Sequence, residues 1–270
     1  MSVLRNRSCF CSRALIKAMM PMKEKIYKFN DPVKSGRALL LVLKIKLASS
    51  LASLIQNLCE IKLLNKIKEG GFHSEEEILQ AVDRHDTIAM TIGSCEVILW
   101  GIAVVLFFRW QYRMAANVQT WRIGNVSQKP CWGFWNFLIP VWSLYKPFVF
   151  VRELWNSAEY SPEDPQRWKT LSAPRCVKAW WTFYLLGSMF NRALLRFSTQ
   201  MEQTVENMIA FDFGFAAGDL LEFAEYIALI VLVNGLGLRQ KTYQEKTTAA
   251  PQGESGSPDG DRAANAASCS

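Results

Sequence analysis

The residues of this sequence that could do chemistry in an apolar environment are four charges that interrupt long hydrophobic runs: Glu96, Arg192, Glu222 and Glu225. If these runs cross a bilayer, each charge at its centre costs about 2.5–3.5 kcal/mol on insertion scales, so such residues pair or line a pathway. Arg192 is expected at the same depth as Glu222 and Glu225, which predicts an ion pair with one of them. Glu96 is expected deeper, without an arginine at its depth, which makes it the better candidate for a functional charge.

Two lysines interrupt the first hydrophobic run, nearer its inner end. They are Lys44 and Lys46. A lysine can keep its apolar stem in the bilayer while its amine reaches the headgroups. We therefore expect both side chains to snorkel.

The rest of the sequence offers little catalytic chemistry. Its two histidines, His73 and His85, lie in one connection, which is typical of surface residues rather than a metal site. There is no nucleophile elbow, phosphate-binding glycine loop or H-E-x-x-H motif, and the seven cysteines include no C-x-x-C pair. We expect no enzyme activity, no cofactor and no metal, and we see no folded basic element that would bind nucleic acid.

Four apolar runs could position the charges, at about residues 38–59, 87–108, 179–195 and 220–238. Each has the roughly 17 to 25 residues that a helix needs to cross a hydrocarbon core. The alternative is a soluble helical protein with buried core helices. The stretches 97–108 and 226–238 are apolar around nearly the whole helix, which favours the membrane. We predict an all-α, polytopic membrane protein with four transmembrane helices.

Helix boundary signals support the first two spans. Asp31 before Pro32 is typical of a helix start, Gly70-Gly71 of a helix end, and Ser74 followed by Glu77 of a capping box. The first two helices should therefore project beyond the bilayer as a hairpin.

Basic residues in the connections predict the orientation. Residues 1–37 hold nine lysines and arginines, 60–86 four, 109–178 ten, 196–219 one, and those after 238 four. Because basic residues are enriched on the cytoplasmic side, both termini and the long central connection should face the cytoplasm. The protein should lie in the cell membrane, with an organelle membrane as the alternative.

The central connection contains an uncharged aromatic stretch, 131–145, that is too apolar for a solvated loop. Pro140 would break a helix near its middle, so a fifth straight span is not expected. Tryptophans favour the headgroup zone, where Trp132, Trp135 and Trp142 would keep their N–H groups wet. We predict a bent segment that lies in the cytoplasmic interface or enters it as a re-entrant turn. Alternatively, these aromatic residues form a protein core that caps the bundle.

An amphipathic helix is predicted to start at Pro147. Its apolar face would hold Phe148, Val151, Leu154 and Trp155, and its polar face Arg152, Glu153 and Asn156.

The composition divides the chain into three parts. Residues 1–31 form a basic arm, residues 32–245 the four-helix membrane domain, and residues 246–270 a tail low in bulky apolar residues that should be disordered.

Motifs along the chain resemble a family of bacterial membrane proteins called domain of unknown function 4328. The resemblance covers roughly residues 34–245 and is most specific in the centre. The matching residues are Trp110, Arg113, Asn117, Phe137, Ile139, Pro140, Pro147, Glu153, Leu154, Trp155, Ser157, Arg239 and Gln240. The sequence departs from the pattern at Leu138, an insertion, and at Ser143, where asparagine is usual. The resemblance implies a multi-span membrane protein without an established activity.

Three functions are compatible with these observations. The first, which we favour, is a non-enzymatic scaffold or sensor whose cytoplasmic aromatic segment binds lipid or a membrane partner protein. The second is a homo-oligomeric channel or transporter that uses the intramembrane charges. The third is a membrane enzyme that acts on lipid, with acids as its only catalytic groups.

Overall fold

The computed structural model describes residues 27–121, 129–161, 163–202 and 204–249, and every regular element within them is helical. The helices are α1 (Pro32–Lys68), α2 (Glu75–Thr120), α3 (Trp132–Leu138), α4 (Lys146–Asn156), α5 (Arg167–Thr170), α6 (Arg175–Ser198) and α7 (Val205–Ala249). Short 3₁₀ turns lie at Trp142–Leu144 and Ser157–Glu159. The predicted all-α fold is confirmed. Most of the basic arm, and the predicted tail beyond Ala249, lie outside the described residues.

The first hairpin follows the boundary signals of the sequence. The Asp31 side chain accepts hydrogen bonds from the backbone N–H groups at the start of α1, and Gly70 adopts a positive φ of 70° just after its end. Such a φ favours glycine because it lacks a Cβ. Ser74 accepts from the N–H of Glu77, while the Glu77 carboxylate reaches back to His73 rather than to Ser74. Of the two hydrogen bonds of the usual capping box, therefore, only the one that Ser74 accepts is formed.

Four long helices form the bundle, packed in the order α2, α1, α7, α6. Each runs antiparallel to its neighbours, and α1 lies in the groove between α2 and α7. The 37-residue α1 is about 55 Å long, which exceeds the roughly 30 Å hydrocarbon core of a bilayer. Helices α1 and α2 are long and apolar enough to cross a membrane. The predicted spans at 179–195 and 220–238 lie within α6 and α7.

The aromatic stretch is folded as a bent segment. Helix α3 ends at Leu138, Ile139 is extended with a ψ of 116°, and a turn at Trp142–Leu144 leads into α4. The bend falls at Pro140, as the sequence indicates. Pro147 lies in the first turn of α4, and the buried face of that helix includes Phe150, Val151 and Leu154.

The hydrophobic core is concentrated at one end of the bundle, which we call the packed end. It contains Leu39 and Leu43 of α1, Trp110 and Met114 of α2, and Leu232 and Leu236 of α7, together with the buried faces of α4, α5 and α6. The opposite end, where Gly70 and Met201 lie in the two connections, is the open end. In the half of α2 that starts there, no residue is buried, and Leu79, Ile88 and Met90 are exposed.

Candidate functional site

A buried lysine joins three helices near the middle of the bundle. Lys46 of α1 is only 2% exposed, and its Nζ lies 3.5 Å from Oε1 of Glu222 on α7 and 3.8 Å from Oε1 of Glu96 on α2. The Tyr226 hydroxyl donates to the Glu222 carboxylate, and Ser49 donates to Glu96. We call Lys46, Glu96 and Glu222 the charged cluster. Because the charged cluster combines one cation with two carboxylates, its formal net charge is about −1.

The charged cluster differs from the predicted polar network. The expectation that Lys46 snorkels is wrong, because the lysine lies between two helices and pairs with both. Arg192 is exposed, and among the described residues no carboxylate lies within 4.0 Å of it. The predicted pair of Arg192 with Glu222 or Glu225 is therefore not formed. Glu222 faces α1, whereas Arg192 belongs to α6 on the other side of α7.

A polar track leads from the charged cluster toward the open end. It follows one face of α1 at helical spacing, through Ser50, Ser53 and Asn57 to Glu60. Ser50 donates to the Asp219 carbonyl, and the Asn57 amide donates to the Asp219 carboxylate at 2.8 Å. Toward the packed end, Leu43 and Leu39 continue the same face and are fully buried. The track is therefore polar on one side of Lys46 only.

The track ends at a cavity of about 300 Å³ at the open end. It is lined by Glu60, Ser198, Met201, Glu202, Asn207, Met208, Phe211 and Asp212. Asp212 is 6% exposed, and its Oδ2 has no hydrogen-bond partner among the described residues. Glu60 lies 3.9 Å from the His85 ring of α2. The cavity thus gathers three carboxylates at the mouth of the track.

Burial changes the acidity of two of these carboxylates. Burial, with a smaller effect from the charge of Glu60, raises the pKa of Asp212 to about 7. Burial also raises the pKa of Glu60, opposed by His85 and assisted by Asp86. Burial therefore favours the neutral form of both carboxyl groups relative to a carboxyl group in water.

The packed end holds a second polar network, built from residues of the family motifs. The Asn117 amide donates to the Asn30 carbonyl at 2.8 Å and to Gln240 Oε1 at 3.2 Å, and the Asn30 N–H donates to Asn117 Oδ1. Gln240 in turn donates to the Met114 carbonyl. These bonds tie the segment before α1 to α2 and α7, and the side chains of Asn117 and Gln240 are fully buried. This geometry indicates that the network has a structural role.

Other motif residues hold the central connection against the bundle. Arg239 of α7 donates to the Trp155 carbonyl, lies 5.5 Å from the centre of the Trp155 ring, and pairs with Glu159. Trp155 packs directly over Gly235, where a Cβ would come within 2.6 Å of its ring. Arg113 donates to Ser35 at the start of α1.

The aromatic stretch has a buried side and an exposed side. On the buried side, Phe137 makes edge contacts with Phe107 and Phe108 of α2 and with Tyr184 of α6. Trp132 and Trp142 are half-buried and pack on each other at 5.6 Å. The exposed side, which we call the aromatic rim, consists of Phe134, Trp135, Leu138, Val141, Leu144 and Tyr145. The buried side therefore fits the interpretation of the stretch as a protein core that caps the bundle, and the exposed side fits the interpretation as an apolar surface.

These features define an all-helical protein with two helices that are candidates to span a membrane. The family model described as domain of unknown function (DUF4328) matches residues 75–237, and the chain belongs to that family. No curated protein and no solved structure matches the chain.

The residues that the sequence interpretation missed lie on α1 and at the start of α7. Lys46 was assigned to the headgroups, and the polar track and Asp212 were not singled out. A signal was present, because Lys46, Ser50, Ser53 and Asn57 recur every three to four residues in an otherwise apolar run. That spacing places them on one helix face. For Asp212 there was no signal, since the sequence does not place it beside Glu60.

Proposed function

We propose that this protein is a four-span integral membrane scaffold or sensor whose aromatic rim binds the lipid headgroup region on the cytoplasmic side. The observation that carries this proposal is the aromatic rim itself. Six large apolar side chains are exposed within residues 134–145, and Val141 is 71% exposed. Phe137 of the same stretch packs against Phe107 and Phe108 of α2, which attaches the stretch to the bundle.

The long helices support a membrane environment. Only 6% of the most apolar 18-residue stretch of α2 is buried within the protein. Exposed residues on this stretch include Val97, Ile98, Trp100 and Val105. An apolar surface of that length is unfavourable in water and requires lipid or a partner to cover it.

The side chains of the rim support the proposal that it contacts lipid headgroups. Trp135 and Tyr145 combine an apolar ring with a polar group, which suits the boundary between headgroups and acyl chains. The Lys146 amine lies 5.4 Å from the centre of the Tyr145 ring, where it can reach lipid phosphates. The rim lies next to the family motif residues of α2 and α3, at the boundary of the packed end.

Depth-dependent fluorescence quenching tests this proposal. The protein would be reconstituted in vesicles that contain lipids brominated near the headgroup or near the acyl-chain ends. Trp135→Phe should remove a component quenched best by the shallow bromines. Trp168→Phe is the matched control, because Trp168 is fully buried and its removal should leave the quenching profile unchanged. If the component lost with Trp135 is quenched by aqueous iodide and by neither lipid, the rim does not bind the membrane.

The charged cluster favours a second function, transport of an ion along the polar track. The track and cluster provide charges inside the proposed bilayer. Leu39 and Leu43 block its continuation toward the packed end, so transport would need the helices to move. Ion flux into proteoliposomes would separate this function from a scaffold, since Glu96→Gln should alter flux but not the assembly of the bundle.

A further inference from the structure

The cavity at the open end is suited to a ligand. Asp212 is buried beside it, and the Asp212 Oδ2 atom lacks a hydrogen-bond partner among the described residues. A buried carboxylate oxygen without a partner loses hydration without compensation, which is unfavourable unless something fills the adjacent space. Glu60 and Glu202 face the same space from α1 and from the connection before α7. The missing partner should therefore be positively charged or a hydrogen-bond donor.

We propose that this cavity binds the ammonium group of a small organic cation, with Asp212 and Glu60 as its counter-charges. This inference goes beyond the scaffold function, because it concerns the opposite end of the bundle and does not use the aromatic rim.

The lining favours an organic cation over a metal ion. Within the described residues no cluster of three or more His, Cys, Asp or Glu side chains has the geometry to hold a metal. Met201, Met208 and Phe211 provide apolar contacts that a hydrated metal would not use. An aromatic ring and thioethers around carboxylates suit an ammonium group with carbon substituents. A volume of about 300 Å³ is at the lower end for ligand pockets and fits a molecule of a few heavy atoms.

Neighbouring bonds keep the cavity in shape. The Asn207 amide donates to the Glu202 carbonyl at 2.8 Å and its N–H is capped by Thr204, which fixes the start of α7. Lys68, the last residue of α1, pairs with Glu206 in the first turn of α7 at 3.0 Å. Lys68 is thereby engaged by an acid outside the cavity lining.

The pKa of Asp212, raised by burial to about 7, agrees with this proposal. A bound ammonium group would favour the ionised carboxylates, so binding should release protons near neutral pH. The charged and titratable groups that face Asp212 and Glu60 are Glu202, and His85 and Asp86 of α2.

The test uses the full-length protein in nanodiscs of phosphatidylglycerol, a lipid without an ammonium group. Choline is titrated at pH 8, and binding is followed by calorimetry and by the rise in Tm. We expect saturable binding of choline and none of 3,3-dimethylbutanol, its neutral isostere. Equal responses to the two compounds, or none to choline, would overturn the proposal.

Variants assign the binding to the cavity. Asp212→Asn should weaken choline binding about tenfold, as expected for the loss of a buried counter-charge of the ammonium group. Glu202→Gln, at an exposed position that should tolerate substitution, should weaken it about threefold and serves if Asp212→Asn does not fold. Glu76→Gln is the control, because Glu76 is an exposed acid of the open end outside the cavity lining. An equal loss with Glu76→Gln would mean that choline only follows the surface charge, and would reject the site.

A last arm identifies the source of the ammonium group. Part of the phosphatidylglycerol is replaced by phosphatidylcholine at constant choline concentration. A fall in apparent choline affinity indicates that a lipid headgroup occupies the cavity, and an unchanged affinity indicates a free ammonium compound.

Discussion

The two ends of the helical bundle differ in what fills the space between the helices. At the packed end, buried aromatic and aliphatic side chains surround a closed network of amides. From the middle of the bundle to the open end, the space between the helices holds a lysine between two acids, serine hydroxyls and an asparagine amide, and a cavity beside a carboxylate oxygen that has no hydrogen-bond partner among the described residues. The family motif residues whose contacts are described above all lie at the packed end. Their contacts hold the helices and the central connection together, whereas the proposed ligand cavity lies at the open end.

We expect the largest loss of stability from a substitution in the charged cluster, which lies between the packed end and the open end. Lys46→Met leaves Glu96 and Glu222 facing each other without a cation, which should cost about 3–5 kcal/mol of stability. Glu96→Gln and Glu222→Gln, added together to Lys46→Met, should restore most of it. Thermal unfolding in detergent, followed by size-exclusion chromatography, measures both effects.

Lys44→Met is the control for that experiment. Lys44 lies two residues away on α1 and is exposed. We expect it to change stability by less than about 0.5 kcal/mol. A loss at Lys44 equal to that at Lys46 would contradict the assignment of the cluster.

A pair of leucines on α7 compares the packed end with the exposed surface of the bundle directly. Leu232 is fully buried and Leu220 is exposed. Leu232→Ala should lower the free energy of unfolding by about 2–4 kcal/mol because it opens a cavity. Leu220→Ala should change it by no more than about 0.5 kcal/mol. Similar losses at both positions in detergent would show that the core is not concentrated at one end.

A pair of glycines sharpens the same contrast at a smaller scale. Gly235→Ala places a Cβ within 2.6 Å of the Trp155 ring, whereas nothing lies within 4 Å of a Cβ at Gly101. We expect Gly235→Ala to cost about 1–3 kcal/mol through overpacking, and Gly101→Ala to be neutral or slightly stabilising. Melting temperatures of the two variants would check this, and an equal response would argue against close packing of α4 on α7.

The last effect that we expect is a pH dependence at the open end. The folded-state pKa of Asp212 lies above its ordinary value of 3.8, at about 7, so the folded protein binds more protons between these values. Its contribution to stability is therefore present below about pH 4 and is lost as the pH rises toward 7. Asp212→Asn should flatten the pH dependence of Tm in this window. The raised pKa of Glu60 acts in the same direction, and a Tm that rises with pH only in the wild-type protein would contradict the sign.

Much of the fold could be predicted from local signals. The start of α1 at Asp31-Pro32, its end at Gly70 and the bend at Pro140 depend on residues next to one another in sequence, so their physics is readable without the tertiary structure. The amphipathic pattern of α4 identified only part of its buried face. Val151 and Leu154 are buried as predicted, but Phe150 was missed, and Asn156, predicted on the polar face, is buried and donates to the Leu171 carbonyl.

The neighbours of each helix could not be predicted in the same way. Hydropathy shows that a run is apolar, but not which helix covers which face. The placement of α1 between α2 and α7 decides that Lys46, and not Arg192, meets Glu222. The tryptophans show the same limit, because composition does not separate the buried Trp110 and Trp168 from the exposed Trp135.

Topology reporters test the central claim, a four-span protein with its aromatic stretch on one side of the membrane, most directly. Reporters would be inserted near Gly71 and near Ser161 and fused to the C-terminal end of the chain. We predict that the reporter at Ser161 and the C-terminal reporter both lie on the cytoplasmic side and the reporter at Gly71 on the opposite side. If Ser161 and the C-terminal end lie on opposite sides, the number of spans between them is odd. The four-span account would then be contradicted.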